Sequence, residues 1–141
     1  MTEPDRYLLD TSVVIDLPDP TEIEPDAEYL ISTITVAELN VGIHTADNPV
    51  QRSERLARLQ WVSDAFDPLP FTVATARMYG QLVALLLAAG RNYRPRRMDL
   101  LIAAVAATYR LPLLTRNPAD FADLHPLLVL IGLEPPPDPP E

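Results

Sequence analysis

The stretch Tyr7-Leu8-Leu9-Asp10-Thr11-Ser12 limits the folds open to this chain more than any other. A short apolar run, suited to a buried strand, stops at a carboxylate. The Thr-Ser pair after it is of the type that starts helices. We therefore read a strand over residues 6–10 and a short helix over 12–17. In open parallel α/β sheets, ligands bind just beyond the carboxyl ends of the strands. That places Asp10 at a site-forming rim.

The remaining segments alternate in the same manner. Residues 29–32 are short and β-prone. Thr35-Val36-Ala37-Glu38 matches a capping box and opens a helix to about His44. Asn48-Pro49 marks a turn. Residues 50–66 are amphipathic, with Leu56, Leu59 and Val62 at helical spacing. A brief extended piece lies within 67–71. Thr72 caps a helix to Ala89, and Gly90 ends it in the left-handed conformation. A basic loop over 92–97 precedes the most apolar helix, 98–109. A strand over 111–115, a turn over 116–121 and a last strand over 127–131 complete the order. This alternation predicts an α/β fold with a mostly parallel central sheet of about five strands, flanked by helices. One domain is expected over 1–133. Residues 1–5 read as a frayed end, and 134–141, with five prolines in eight residues, as a disordered tail.

Composition narrows the chemistry. The chain has no cysteine, which removes disulfides and thiolate metal sites. Its two histidines, His44 and His125, suit neither a zinc site nor paired-His acid–base chemistry, and both read as structural. Thr2 to Arg6 is polar with no apolar leader core behind it, and the longest apolar run, 82–89, is too short for a bilayer. A cytoplasmic protein without a membrane partner is expected. The net charge of −9 is unevenly placed. Residues 1–28 hold nine acids and one Arg, whereas 91–116 hold six Arg against Asp99 alone. There is no Lys, and Arg forks match phosphate oxygens in pairs.

Three acids, Asp10, Glu38 and Asp99, sit beside or inside apolar segments, and Asp120 lies in the turn after the 111–115 strand. Carboxylates gathered in a partly dry cleft repel one another unless a cation joins them. Oxygen ligands of this hardness select Mg²⁺ or Mn²⁺. Such an ion activates water and steadies an in-line attack on phosphate. Each acid also has a structural reading. Asp10 suits a helix N-cap, Glu38 a capping box, and Asp99 the positive end of a helix dipole.

These residues carry a resemblance. Leu9-Asp10-Thr11-Ser12, Thr35-Val36-Ala37-Glu38-Leu39 with Gly42, Arg97 to Ala104 around Asp99, and Leu114-Thr115-Arg116-Asn117 with Asp120-Phe121 resemble a PIN-domain ribonuclease. More narrowly, they are similar to the toxins of bacterial VapBC toxin–antitoxin pairs, over about residues 6–131. The resemblance implies a three-layer fold, Mg²⁺-dependent endoribonuclease activity, a 5′-phosphate product, a small VapB-type antitoxin and a homodimer. It carries Asp10, Glu38 and Asp99 over as the acidic core, with Asp10 and Asp99 as metal ligands and Glu38 positioning a water. Many relatives have an acid where this chain has Asn117, and Asp120 is the candidate substitute. Thr115 resembles a hydroxyl close to the metal water, and Thr11 and Ser12 are candidate supports.

Arg94, Arg96 and Arg116 are candidate contacts to RNA or antitoxin. Trp61 and Tyr79 read as core or interface residues on helices. Two rivals that also begin with a strand ending in Asp fail on specific residues. A haloacid-dehalogenase-like phosphatase needs an Asp where Ser12 stands and a distal Lys, and a phosphate-receiver domain needs that Lys too. A PIN-like scaffold that binds RNA or protein without cutting remains the alternative, because of Asn117.

Overall fold

The computed structural model describes residues 5–133 of the 141. The tail expected over 134–141 and most of the amino-terminal end lie outside them. The elements run β1 (Arg6–Leu9), α1 (Thr11–Ile15), β2 (Glu28–Leu30), α2 (Thr33–His44), α3 (Pro49–Ala65), α4 (Val73–Ala88), α5 (Arg97–Thr108), β3 (Leu113–Thr115) and β4 (Leu130–Gly132). Two 3₁₀ turns, Arg94–Arg96 and Pro118–Phe121, flank α5 and follow β3.

The strands form one parallel sheet in the order β2-β1-β3-β4. Alternation along β1 and β3 assigns the two faces. Leu8 and Leu113 are paired in register and pack against Leu82 and Leu86 of α4 and the apolar side of α5. Leu9 and Leu114, the next pair, pack against Val13 and Val14 of α1, Leu39 of α2 and Val62 of α3. Three layers follow, with a separate apolar core on each face of the sheet. No helix among the described residues is long and apolar enough to cross a membrane.

Among the described residues the sheet has four strands, one fewer than the expected five. The extended piece over 67–71 is reduced to one parallel bridge between Leu69 and Ser32. Leu69 gives its N–H to Ile31 and receives that of Thr33. The partner segment turns into α2 at Thr33, so the pairing stops after one residue. The last strand also begins later than expected. Leu127 and Leu128 turn back to the Leu124 carbonyl, and pairing starts only at Leu130.

Helix starts follow local chemistry. Thr72 caps α4 by accepting from Thr75 N–H, and Gly90 carries φ +73°, the left-handed stop. The start of α2 differs from the capping-box expectation. Ser32, fully buried, is the N-cap and accepts from Thr35 N–H at 3.2 Å. Thr35 is thus the third residue of the helix, and Glu38 lies in its second turn. Ser32→Ala removes the partner of a buried N–H and should lower the unfolding free energy by about 1–2 kcal/mol, read from the urea midpoint. A loss of that size in Glu38→Gln, with Ser32→Ala neutral, would restore Glu38 as the cap.

Candidate active site

Chain direction brings the acids together. α1 and α2 start where β1 and β2 end, so their first turns lie at the carboxyl rim of the sheet. α5 runs into β3 through a short connection and is antiparallel to it, so its first turn reaches the same rim. The Pro118–Phe121 turn leaves β3 there as well. Asp10, Glu38, Asp99 and Asp120, scattered along the sequence, therefore converge.

Asp10 sits at the N-cap position of α1 but makes no side-chain cap bond. It is 4% exposed. Its Oδ2 accepts from Ser12 Oγ at 2.7 Å and from Thr115 Oγ1 at 2.9 Å. Two backbone amides of the turn after β3 set these hydroxyls. Arg116 N–H donates to Ser12 Oγ and Asn117 N–H to Thr115 Oγ1. Each hydroxyl thus has a donor behind it and turns its own proton onto the carboxylate. Asp10 Oδ1, equally buried, has no partner among the described residues.

Glu38 is held by a second chain of hydroxyls. Its Oε1 accepts from Thr11 Oγ1 at 2.7 Å, and Thr11 Oγ1 lies 3.0 Å from Thr35 Oγ1. Thr11 has one proton and gives it to Glu38, so Thr35 donates to Thr11. Burial pushes the Glu38 carboxyl up, the Thr11 bond opposes this, and the charge of Asp10 adds to the rise. Thr35 was not among the residues expected here. Its signal was a Thr three positions before Glu38, on the same helix face.

Asp99, half-buried in the first turn of α5, is pushed from its ordinary 3.8 to about 6. Desolvation is the largest cause, followed by the charges of Asp10, Asp120 and Glu38, with Arg96 opposing. Electrostatics thus joins all four acids, Asp120 included. Asn117 is exposed and makes no side-chain cap bond. Among the described residues no three His, Cys, Asp or Glu side chains converge into a ready ligand set.

The arginines divide. Arg96 donates from Nη1 to the Ala119 carbonyl at 3.1 Å, which ties the start of α5 to the turn carrying Asp120. Arg94 is exposed. Arg116, expected as an open contact, has a side chain only 7% exposed. Its Nε and Nη2 donate to the Asp16 carbonyl at 3.1 and 3.0 Å, and Glu22 lies 3.6 Å from Nη2. It ties the end of α1 to the acidic loop behind it. Both histidines are exposed, and neither contributes to the shifts of Glu38 or Asp99. Trp61 is 42% exposed and edge-on to Phe66, on a surface rather than in the core.

The raised carboxyl of Asp99 has a stability consequence. The folded state holds its proton more tightly than the unfolded chain, so folding stability falls as pH rises from about 4 to about 6. In chelator, Asp99→Asn should melt higher than the wild type at pH 7, and the difference should vanish near pH 4. A pH-independent difference in melting temperature would contradict the crowding of charge at this rim.

A family model described as PIN domain matches residues 7–125. Ribonuclease VapC5 of Mycobacterium tuberculosis is 39% identical over 127 residues, covering 87% of this chain and 90% of that protein. Ribonuclease VapC of Rickettsia bellii is 33% identical, with coverage of 87% and 93%. A crystal structure of VapBC-5 from Mycobacterium tuberculosis, a member of the VapBC family of toxin–antitoxin systems, superposes with a TM-score of 0.80 at 37% identity, covering 92% of this chain and all of that one. The parallel sheet, the acids at its carboxyl rim and these likenesses agree, and the chain belongs to the PIN-domain family, in the group whose curated members are named Ribonuclease VapC.

Proposed function

We propose that the chain is a Mg²⁺-dependent endoribonuclease, the toxin half of a toxin–antitoxin pair, and that the acidic rim is its active site. The observation that carries this reading is Asp10 Oδ1, a buried carboxylate oxygen left without a partner. Such an atom is expensive to bury unless a cation or donor completes it. The acids gathered at this rim offer oxygen ligands, which suits Mg²⁺, with Mn²⁺ as a substitute. Mg²⁺ keeps several waters and needs only one or two carboxylates, so the lack of a ready three-acid set does not count against it. Asp10 and Asp99 would hold the ion. When bound, it acidifies a water and offsets the charge gathering on the phosphate.

The chain's own residues supply the remaining steps. Ser12 and Thr115 fix Asp10 through Oδ2, which leaves Oδ1 for the metal. Glu38 is locked through Oε1 by Thr11, which leaves Oε2 to position the attacking water and take its proton. A carboxyl pushed up by burial is a better proton acceptor at neutral pH than an ordinary one. The new P–O bond forms as the bond to the 3′ oxygen breaks, that oxygen leaves as a hydroxyl with a proton from solvent, and the product carries a 5′ phosphate. Arg96 supplies positive charge beside Asp99, where a phosphate has to approach. Asp120 completes the acidic rim in the role that Asn117 does not fill. A small antitoxin of the VapB type and a second copy of the chain are the proposed protein partners. Support for the antitoxin is the likeness to a member of the VapBC family.

One observation favours the non-catalytic scaffold as a second reading. Asn117, where many relatives have an acid, is neutral and exposed. Metal separates the two. Mg²⁺ should raise the melting temperature of the wild type and leave Asp10→Asn unmoved. Asp10→Asn and Asp99→Asn should each reduce Mg²⁺-dependent RNA cleavage by more than about 100-fold, and Thr115→Val by ~10–100-fold through loss of the Asp10 brace. Sequencing of cleaved 5′ ends should show phosphorylated termini made by the wild type alone. Cleavage undiminished in Asp99→Asn, or none by the wild type with Mg²⁺ or Mn²⁺, overturns the enzymatic reading.

A further inference from the structure

A second surface lies on the opposite flank of the α5 start from Asp99. Tyr79 of α4, Arg94 and Pro95 of the 3₁₀ turn, and Arg97, Met98 and Leu101 of α5 line a groove of about 630 Å³. That lies within the ~300–1,000 Å³ typical of sites for small organic groups. At 100° per residue, Arg97, Met98 and Leu101 share one side of α5, and Asp99 points away from them. The width of the helix separates the two flanks, on the order of 10 Å.

The charges in this groove are open. The ion pairs among the described residues are Arg6–Glu28, Arg91–Asp123, Arg116–Asp16 and Arg116–Glu22. Neither Arg94 nor Arg97 takes part in one. Arg97 donates from Nε to the Arg94 carbonyl at 3.1 Å, and Arg94 N–H is held by Asn92 Oδ1. These bonds order the turn and leave the terminal nitrogens of both guanidiniums to a ligand. In a chain with net charge −9, two neighbouring exposed cations outside the ion pairs of the described residues form a local positive patch that attracts an anion. Tyr79, half-buried against the core behind it, gives the groove an aromatic wall. Guanidiniums beside an aromatic face suit a single strand of nucleic acid, with phosphates on the first and a base on the second.

A second copy of this chain fits less well. A twofold contact through this groove would bring the same two guanidiniums against each other.

We propose that this groove is a nucleotide subsite, in which Arg94 and Arg97 hold phosphates flanking the scissile bond and Tyr79 stacks on a base. The inference rests on the reading of the acidic rim as an RNA-cleaving site, and it extends the substrate path across the start of α5. Length then matters to the substrate, because a strand must reach from Asp99 over the helix to fill the groove.

The test is equilibrium binding of a fluorescent single-stranded oligoribonucleotide, in chelator, to the full chain carrying Asp10→Asn, titrated over a range of salt. Arg94→Ala and Arg97→Ala added to this parent should each weaken binding about 3–10-fold and reduce the salt slope by about 1. Tyr79→Leu should weaken binding about tenfold with the salt slope unchanged, and Tyr79→Phe should bind like the parent. Melting temperatures check that each variant is folded. Unchanged affinity and slope in both Arg variants removes the subsite while the acidic rim keeps its role. A fall in sedimentation coefficient in the Arg variants, with RNA binding intact, reassigns the groove to a contact between copies. A parent that binds no RNA at any salt overturns this inference, while the reading beneath it stands or falls on Mg²⁺-dependent cleavage by the wild type.

Discussion

A carboxylate that the fold buries and only half satisfies is the constraint on which this structure turns. Asp10 Oδ2 has two hydroxyl donors, and Oδ1 has none among the described residues. A buried charged oxygen without a partner destabilises a protein by several kcal/mol, on the order of what a whole domain has in reserve. The chain tolerates it because its surroundings are rigid. Two cores, one on each face of a parallel sheet, hold β1 and β3 in register. That register puts Thr115 next to Asp10 across 105 positions of sequence. Ser12 and Thr115 are in turn set by backbone amides, so the brace depends on the path of the main chain rather than on flexible side chains.

The same economy explains the crowding of Asp99. A site that holds several like charges in a partly dry cleft is poor for stability and good for cations. Arg96 could have neutralised Asp99 outright. Instead it donates to the Ala119 carbonyl, which leaves its influence on Asp99 smaller than the combined pull of burial and three acids. The first turn of α5 is therefore tied mechanically to the Asp120 turn, while Asp99 stays crowded by the neighbouring acids. Gly132 serves the same tie from the other side. A Cβ there would stand 3.1 Å from Pro118, the first residue of that turn, so the small residue in β4 lets the turn pack close.

Most of the frame was legible in the sequence because local chemistry and tertiary packing agree there. The apolar run ending at Asp10, the Thr72 cap and the Gly90 stop specify the same structure at both levels. Reading failed where a choice between equivalent local signals was settled by distant packing. Ser32 and Thr35 are both good caps, and Ser32 prevails because the extended run ends on it, where it is bridged to Leu69, and the helix opens at Thr33. Glu38 then has no capping role and is held instead by the Thr11 hydroxyl, a contact between separate elements. Arg116 was misplaced for a related reason. Its neighbours in sequence point to the rim, but its long side chain reaches back to the Asp16 carbonyl, a contact made across 100 positions. The convergence of the four acids was legible only in outline. It requires knowing that α5 precedes its strand and α1 and α2 follow theirs, which is topology rather than pattern.

An acidic net charge in a chain whose curated relatives are named ribonucleases poses an apparent contradiction, and distance resolves it. Exposed charges more than about 8–10 Å from a phosphate are largely screened at physiological salt. The net charge of −9 is therefore a poor guide to what a strand meets at the site. The acids of the segment between α1 and β2 are partly occupied at home. Glu22 lies against Arg116, and Glu24 accepts from Tyr7. Around the start of α5 the balance is reversed, with Arg94, Arg96 and Arg97 within four residues and Asp99 as the nearest acid in sequence. Of these cations, Arg96 is the one whose charge acts on Asp99. Segregation of charge along the chain, rather than its sum, is what makes a single acidic domain compatible with a polyanionic substrate.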